Sequence, residues 1–189
     1  MKQARSVIHK SLLWLTLVAS WLAMPSRADE FTDVNQLVKT NQFAEALVKA
    51  DSYLVNKPAD PQMRFVKGVI QRQLGKQAEA IATFASLTQD YPELAEPYNN
   101  LAALYAAQGQ LDQARAALEM AIRTNPNYAI AHENLGDVYA LLAREAYNKT
   151  LQLDKGNTSV PPKLAVIGEV LKLNIAGEGQ PPVAPTSKP

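Results

Sequence analysis

Residues 95–128 read AEPYNNLAALYAAQGQLDQARAALEMAIRTNPNY, and residues 61–94 read PQMRFVKGVIQRQLGKQAEAIATFASLTQDYPEL. Set one above the other, Gly68 meets Ala102, Gly75 meets Gly109, Ala80 meets Ala114, Phe84 meets Leu118 and Pro92 meets Pro126. The same 34-residue step leads back from Pro92 to Pro58, from Ala80 to Ala46 and from Gly75 to Asn41. A period of this length, marked by small residues, turn glycines and terminal prolines, belongs to stacked helix pairs. Such a chain has no enclosed catalytic core and works through the surface of the stack.

The local pattern within each unit agrees with the period. Tyr98, Leu101, Ala102 and Tyr105 fall at i, i+3, i+4 and i+7, which is one helical face. Ala114, Leu118, Ala121 and Ile122 form a matching face on a second helix. Ala102 and Ala114 are small where the two helices cross, so their axes can approach closely. Gly109 suits the left-handed turn that ends the first helix, and Pro126 cannot continue the second. These residues resemble the tetratricopeptide repeat. The resemblance implies an all-α superhelix of about three to four helix pairs, each pair formed by an antiparallel helix A and helix B. The repeats fall at about 29–60, 61–94, 95–128 and an atypical 129–154.

The outer units depart from the pattern. In the first, Phe43, Ala46, Ala50 and Tyr53 mark helix B, and Val34, Leu37 and Val38 mark a helix A over about 30–39. Asn41 takes the glycine place, and asparagine also tolerates the left-handed turn. This unit is expected to cap the array. In the last, His132, Leu135, Gly136 and Tyr139 match Tyr98, Leu101, Ala102 and Tyr105. Thereafter the five residues that make the turn are missing, and Ala143 falls in the place of Ala114. Lacking a breaker, residues 129–154 are expected to form one long helix; a tight hairpin around 143–145 is the alternative. An unfolded hairpin would leave Leu142, Tyr147, Leu151 and Leu153 uncovered. Their expected cover is a short amphipathic helix at Lys163–Leu171, with Leu164, Ile167, Val170 and Leu171 on one face. A homodimer through Leu142, Tyr147 and Leu151 is the other cover. Residues 174–189, rich in proline and glycine, are expected to be disordered.

The N-terminus reads as an export signal. Lys2, Arg5 and Lys10 precede the apolar stretch 11–24, SLLWLTLVASWLAM, which is short for a membrane span. Ser26-Arg27-Ala28 offers small residues for cleavage after Ala28, and an uncleaved anchor is the alternative. Without its four basic residues the chain keeps 15 Lys and Arg against 18 Asp and Glu, a net charge of −3. That balance argues against nucleic acid or an anionic membrane surface as the partner once the signal is removed. The chain has no cysteine, which excludes lipoprotein acylation, thiol catalysis and cysteine-ligated zinc. The expected location is periplasmic.

Catalytic and cofactor motifs are absent from the sequence, so neither an enzyme nor a cofactor or metal site is expected. His132-Glu133 is followed at i+4 from the histidine by Gly136, which breaks the zinc-protease pattern. His132 instead occupies a packing place and is expected to be half-buried.

The resemblance places a binding groove on the A helices. The matching positions are Gln62, Phe65, Val66, Val69, Arg72 and Gln73; Glu96, Asn99, Asn100, Ala103, Ala106 and Ala107; and Ile130, Glu133, Asn134, Asp137, Ala140 and Leu141. Of these, Phe65, Val69, Arg72, Asn99, Asn100, Glu133, Asn134 and Asp137 are the candidate partner-binding residues. Side-chain amides at Asn100 and Asn134 could donate to and accept from an extended peptide backbone. The basic clamp that some family members use for a C-terminal carboxylate is not matched, because Asn99, Ala103 and Glu133 stand in its places. Glu96, Glu133 and Asp137 make the groove acidic, so a neutral or basic protein segment is expected. The resulting expectation is a non-catalytic scaffold for an envelope protein. A regulatory subunit or truncated relative of a cell-wall enzyme, or a periplasmic chaperone, is the alternative. The residues after the repeats are few for a second domain, and the apolar part of the groove is modest for a chaperone.

Overall fold

A computed structural model describes residues 27–175 of the 189-residue chain; the expected export signal up to Ser26 and the proline-rich tail from Ala176 lie outside these residues, and the expected cleavage point after Ala28 falls at the start of the first helix. The described residues form eight α-helices and no strand. They are α1 Arg27–Lys39, α2 Phe43–Asn56, α3 Pro61–Gln73, α4 Gln77–Asp90, α5 Ala95–Ala107, α6 Leu111–Thr124, α7 Ala129–Leu153 and α8 Val160–Ile175. Each helix packs on the next in the chain, and α1 also touches α3, as α5 touches α7. The all-helical array of pairs expected from the 34-residue period is therefore present.

Two kinds of turn join the helices, and each repeats its own hydrogen bonds. Between A and B helices the left-handed residues are Asn41 at φ 58°, Gly75 at 72° and Gly109 at 71°. At each, the residue's own N–H and that of its successor return to carbonyls of the preceding helix: Asn41 to Val38 and Gln42 to Leu37, Gly75 to Arg72 and Lys76 to Gln71, Gly109 to Ala106 and Gln110 to Tyr105. These bonds satisfy carbonyls that the helix end would leave unpaired. Between repeats the N–H groups of Asp60, Leu94, Tyr128 and Asn157 donate to the carbonyls of Lys57, Tyr91, Asn125 and Asp154. The first three of these turns lie 34 residues apart, and the last follows after only 29.

That shortened interval is where the left-handed turn is missing. Residues Ala129–Leu153 form one continuous helix of 25 residues, and the alternative hairpin around 143–145 does not form. The next helix, α8, then takes the register of another helix A. Counted from its turn, Val160 matches Met63, Pro97 and Ala131, and all four are buried. Helix α8 runs from Val160 to Ile175, longer than the expected Lys163–Leu171 and two residues into the segment expected to be disordered.

The core is a band of small and branched side chains between successive helices. Val34, Ala46, Ala50, Tyr53, Met63, Val66 and Ile70 form one cluster, which joins the first repeat to α3 of the second. A second cluster continues from Phe65 and Val69 through Phe84, Ala102, Ala114 and Leu118 to Ala131 and Val138. Gly68 shows why the crossing residue is small: a Cβ added there would lie 2.8 Å from the Phe84 ring. Outside the core, Asp60 caps α3 by accepting from the N–H groups of Gln62 and Met63, with Pro61 in the first turn. Its other carboxylate oxygen accepts from the Tyr53 hydroxyl at 2.8 Å. Tyr91 donates its hydroxyl to the Ala59 carbonyl, and Arg64 spans to Asp90 at 2.6 Å. The first of these contacts ties the second repeat to the turn before it, and the second joins α3 to α4.

Candidate functional site

The A helices α3, α5 and α7 carry every position expected to line the groove, yet only some of them reach the surface. Phe65 and Val69 do not: they are 1% and 6% exposed and belong to the core cluster. The Phe65 ring packs on Phe84 with centroids 5.6 Å apart. The physical reason is that large apolar side chains at these places gain more from the seam between helices than from water. Where the same helical place as Val69 holds Ala103 in the next repeat, the residue is exposed.

The asparagines behave differently from the expected peptide hooks. Asn99 and Asn100 are buried, at 9% and 4% exposure. Asn100 donates its amide to the Glu96 carbonyl one turn back, at 2.9 Å. Asn134 donates to the Asn99 side-chain oxygen at 2.8 Å, which joins α5 to α7. These amide groups hold the A helices to themselves and to each other, as buried polar groups must. The sequence signal for this was the stacked Asn99-Asn100 and Asn134; its partner choice depends on helix spacing.

The expected groove residues left at the surface are mostly small or acidic. Ala103 and Ala107 are exposed or nearly so at the end of α5, and Ala106 and Ala140 lie beside them on α5 and α7. Glu133 on α7 is exposed; Glu96 on α5, Asn134 and Asp137 on α7 and Arg72 on α3 are half-buried. Sequence reasoning missed Tyr128. Burial, reinforced by the Glu96 carboxylate, pushes its phenol up to about 12. His132 is also corrected: it is exposed, not half-buried, and its Nε2 donates to the Pro126 carbonyl at 2.9 Å. The helix B that would have covered it is missing.

The dimer face expected at Leu142, Tyr147 and Leu151 is only partly covered within the chain, and all three residues are half-buried. Leu142 packs against the core below it. Helix α8 packs along α7, and Lys163 Nζ stands 5.4 Å from the centre of the Tyr147 ring. Leu151 is half-buried, and only Leu153 stays fully open, at 78% exposure.

Among the described residues no helix is long and apolar enough to cross a membrane, and no group of three or more histidines and carboxylates gathers as a metal site would require.

Comparison with known proteins agrees with the helix pairs. Residues 34–95 match the model described as "Tetratricopeptide repeat", and residues 104–142 match "TPR repeat". The chain is 34% identical over 89 residues to the chloroplastic tetratricopeptide repeat domain-containing protein PYG7 of Arabidopsis thaliana, a match that covers 44% of this chain and 30% of that one. It is 29% identical over 114 residues to the uncharacterized protein ycf37 of Pyropia yezoensis, covering 57% and 61%. It thus spans less than two thirds of either relative's length. Among solved structures, a thermophilic tetratricopeptide-repeat protein of Thermus thermophilus superposes with a TM-score of 0.58 at 26% identity, over 78% of this chain and 82% of that one. The first such domain of Spaghetti (RPAP3), bound to the HSP90 peptide SRMEEVD, superposes with a TM-score of 0.56 at 20% identity, over 59% and 89%. Repeat spacing, paired turns, matching models and superposed folds agree: the chain belongs to the tetratricopeptide-repeat family, whose repeats build protein–protein interaction scaffolds.

Proposed function

We propose that the protein is a non-catalytic, exported scaffold that holds an extended segment of an envelope protein along the A-helix face of α5 and α7. The observation that carries this reading is the exposure of the small residues Ala103 and Ala107 on α5, on A helices that also carry the carboxylates Glu96, Glu133 and Asp137 at expected groove positions. Small side chains let a peptide backbone approach closely, and the carboxylates favour a neutral or basic segment. The likeness to a domain holding the peptide SRMEEVD supports peptide binding at this kind of face. The charge here is of the wrong sign for that acidic peptide.

The export half rests on the leader at residues 1–28, with a periplasmic site of action and cleavage after Ala28. N-terminal sequencing of the protein recovered from a bacterial exported fraction tests it. A chain that still begins at Met1 and sediments with membranes would count against it.

Binding is tested with three labelled peptides of equal length, one basic, one neutral and one acidic, titrated at rising salt. The basic peptide should bind most tightly and weaken as salt rises. Glu133→Lys should reverse the order of the charged pair, with unchanged helicity. Equal binding of all three peptides, insensitive to salt, would remove the electrostatic basis of the proposal.

A further inference from the structure

Helix α7 carries an unpartnered stripe along its length. His132, Gly136, Tyr139, Ala143, Ala146 and Thr150 succeed one another at steps of four and three residues, the spacing of a helix–helix seam. His132, Gly136, Tyr139 and Ala146 lie toward solvent, and Ala143 and Thr150 are half-buried. Tyr139 is 49% exposed, and nothing lies within 4 Å of a Cβ built on Gly136. The first half of this stripe is the face that a helix A turns toward its own helix B. Helix α8 does not fill that place, because it sits in the register of the following helix A.

The chain nevertheless contains the missing helix B, fused to the end of its own helix A. Phe84 and Leu118 each lie seven residues before their inter-repeat turn at Tyr91 and Asn125; Tyr147 lies seven before Asp154. Phe84 lies directly over Gly68, and the corresponding pair in the last repeat is Tyr147 and Gly136. On one straight helix these two stand eleven residues, or about 16 Å, apart and cannot meet. An antiparallel second copy solves this. With a two-fold axis near Leu141 and Leu142, Tyr147 of the second copy comes over Gly136, and the same contact recurs on the other side. The pairing is self-complementary, as a two-fold interface requires.

We propose that the protein dimerises by exchanging helix-B halves: the second half of α7 in each copy packs on the first half of α7 in the other. The small residues Gly136, Ala143 and Ala146 let the two helices approach as closely as α3 and α4 do within a repeat. Tyr147 keeps its contact with Lys163 on the flank away from the seam.

The absence of natural cysteine makes the test direct. The full chain should sediment at twice its own mass. A variant with both Gly136→Cys and Tyr147→Cys should form a covalent dimer on mild oxidation, many-fold faster than Val48→Cys, a 65% exposed control on α2. The two new cysteines are too far apart on one helix to bridge within a chain. Ala146→Glu, on the open side of the stripe, should give a monomer with unchanged helicity. Four results would each overturn the proposal: a monomer at every concentration, cross-linking no faster than the control, a dimer that survives Ala146→Glu, or a monomer held with a different protein on this face.

Discussion

Residues 95–128 and 129–153 begin alike and end differently. In the first, Ala102 and Leu101 are buried at 1% and 5% exposure, and Tyr105 is half-buried. In the second, the matching Tyr139 is exposed, the face of Gly136 is open and Leu135 is only half-buried. The side chains at these places are of the same type. The difference is a five-residue turn, present around Gly109 and absent before Ala143, which decides whether helix B folds back. Matching helix-A patterns therefore gain their burial from a neighbour that only one of them has. Exposure of an apolar stripe is the direct consequence of the lost turn.

The largest test of this contrast removes the side chain in the helix-B anchor place. Leu118→Ala, at a fully buried site, should lose about 2–5 kcal/mol of stability through the cavity it leaves. Tyr147→Ala, in the same register but half-buried, should lose well under that in dilute, monomeric protein. Chemical denaturation of both variants gives the comparison; equal losses would mean that the last repeat is as well packed as the third.

The crossing glycines should respond with opposite signs. Gly68→Ala forces a methyl group against the Phe84 ring and should cost about 1–3 kcal/mol by overpacking. Gly136→Ala meets nothing and replaces a helix-interior glycine, so it should stabilise the dilute chain by about 0.5–1 kcal/mol. Thermal melts at low concentration would show the two shifts; a destabilising Gly136→Ala would mean that its face is covered within the chain.

The turn itself can be tested at Gly109. Its φ of 71° suits glycine, and Gly109→Ala should cost about 1–2 kcal/mol although the space around it is open. Denaturation midpoints would separate this backbone effect from packing, since nothing stands within 4 Å of the added methyl.

The smallest effect is in pH dependence and sits at the junction of the two repeats. Tyr128 is held up to about 12 by burial and by Glu96, whereas an unfolded phenol titrates near 10. Between those values the unfolded chain gives up the proton first, so this group's contribution to stability falls as pH rises from about 10 to 12. Tyr128→Phe should flatten that part of the stability curve, and Glu96→Gln should make the fall shallower. A curve unchanged by both substitutions would show that the phenol is not constrained in the folded chain.

Much of the fold was legible in the sequence. Pro58, Pro92 and Pro126, the turn residues Asn41, Gly75 and Gly109, and the absent breaker before Ala143 each have a local effect on backbone geometry, and local effects survive in a one-dimensional reading. The candidate groove was less legible. Arg72, Glu133 and Asp137 were placed on the right helices, but Phe65 and Val69 were enclosed, and Asn100 and Asn134 were already bonded within the array. Whether a side chain at a given helical place meets water or a neighbouring helix depends on how far apart the helices stand, which residue spacing alone does not specify.

What the amino-acid sequence determined by itself is the period, the helix ends and the fusion of α7, because glycine, asparagine and proline act on their own backbone within a few residues. Only the tertiary structure decided that α8 would occupy the place of a following helix A, that Asn134 would bridge to Asn99, and that the stripe through Gly136 and Tyr139 would stay open. Those outcomes are settled by which surfaces compete for the same neighbour, and that competition exists only once the helices are packed.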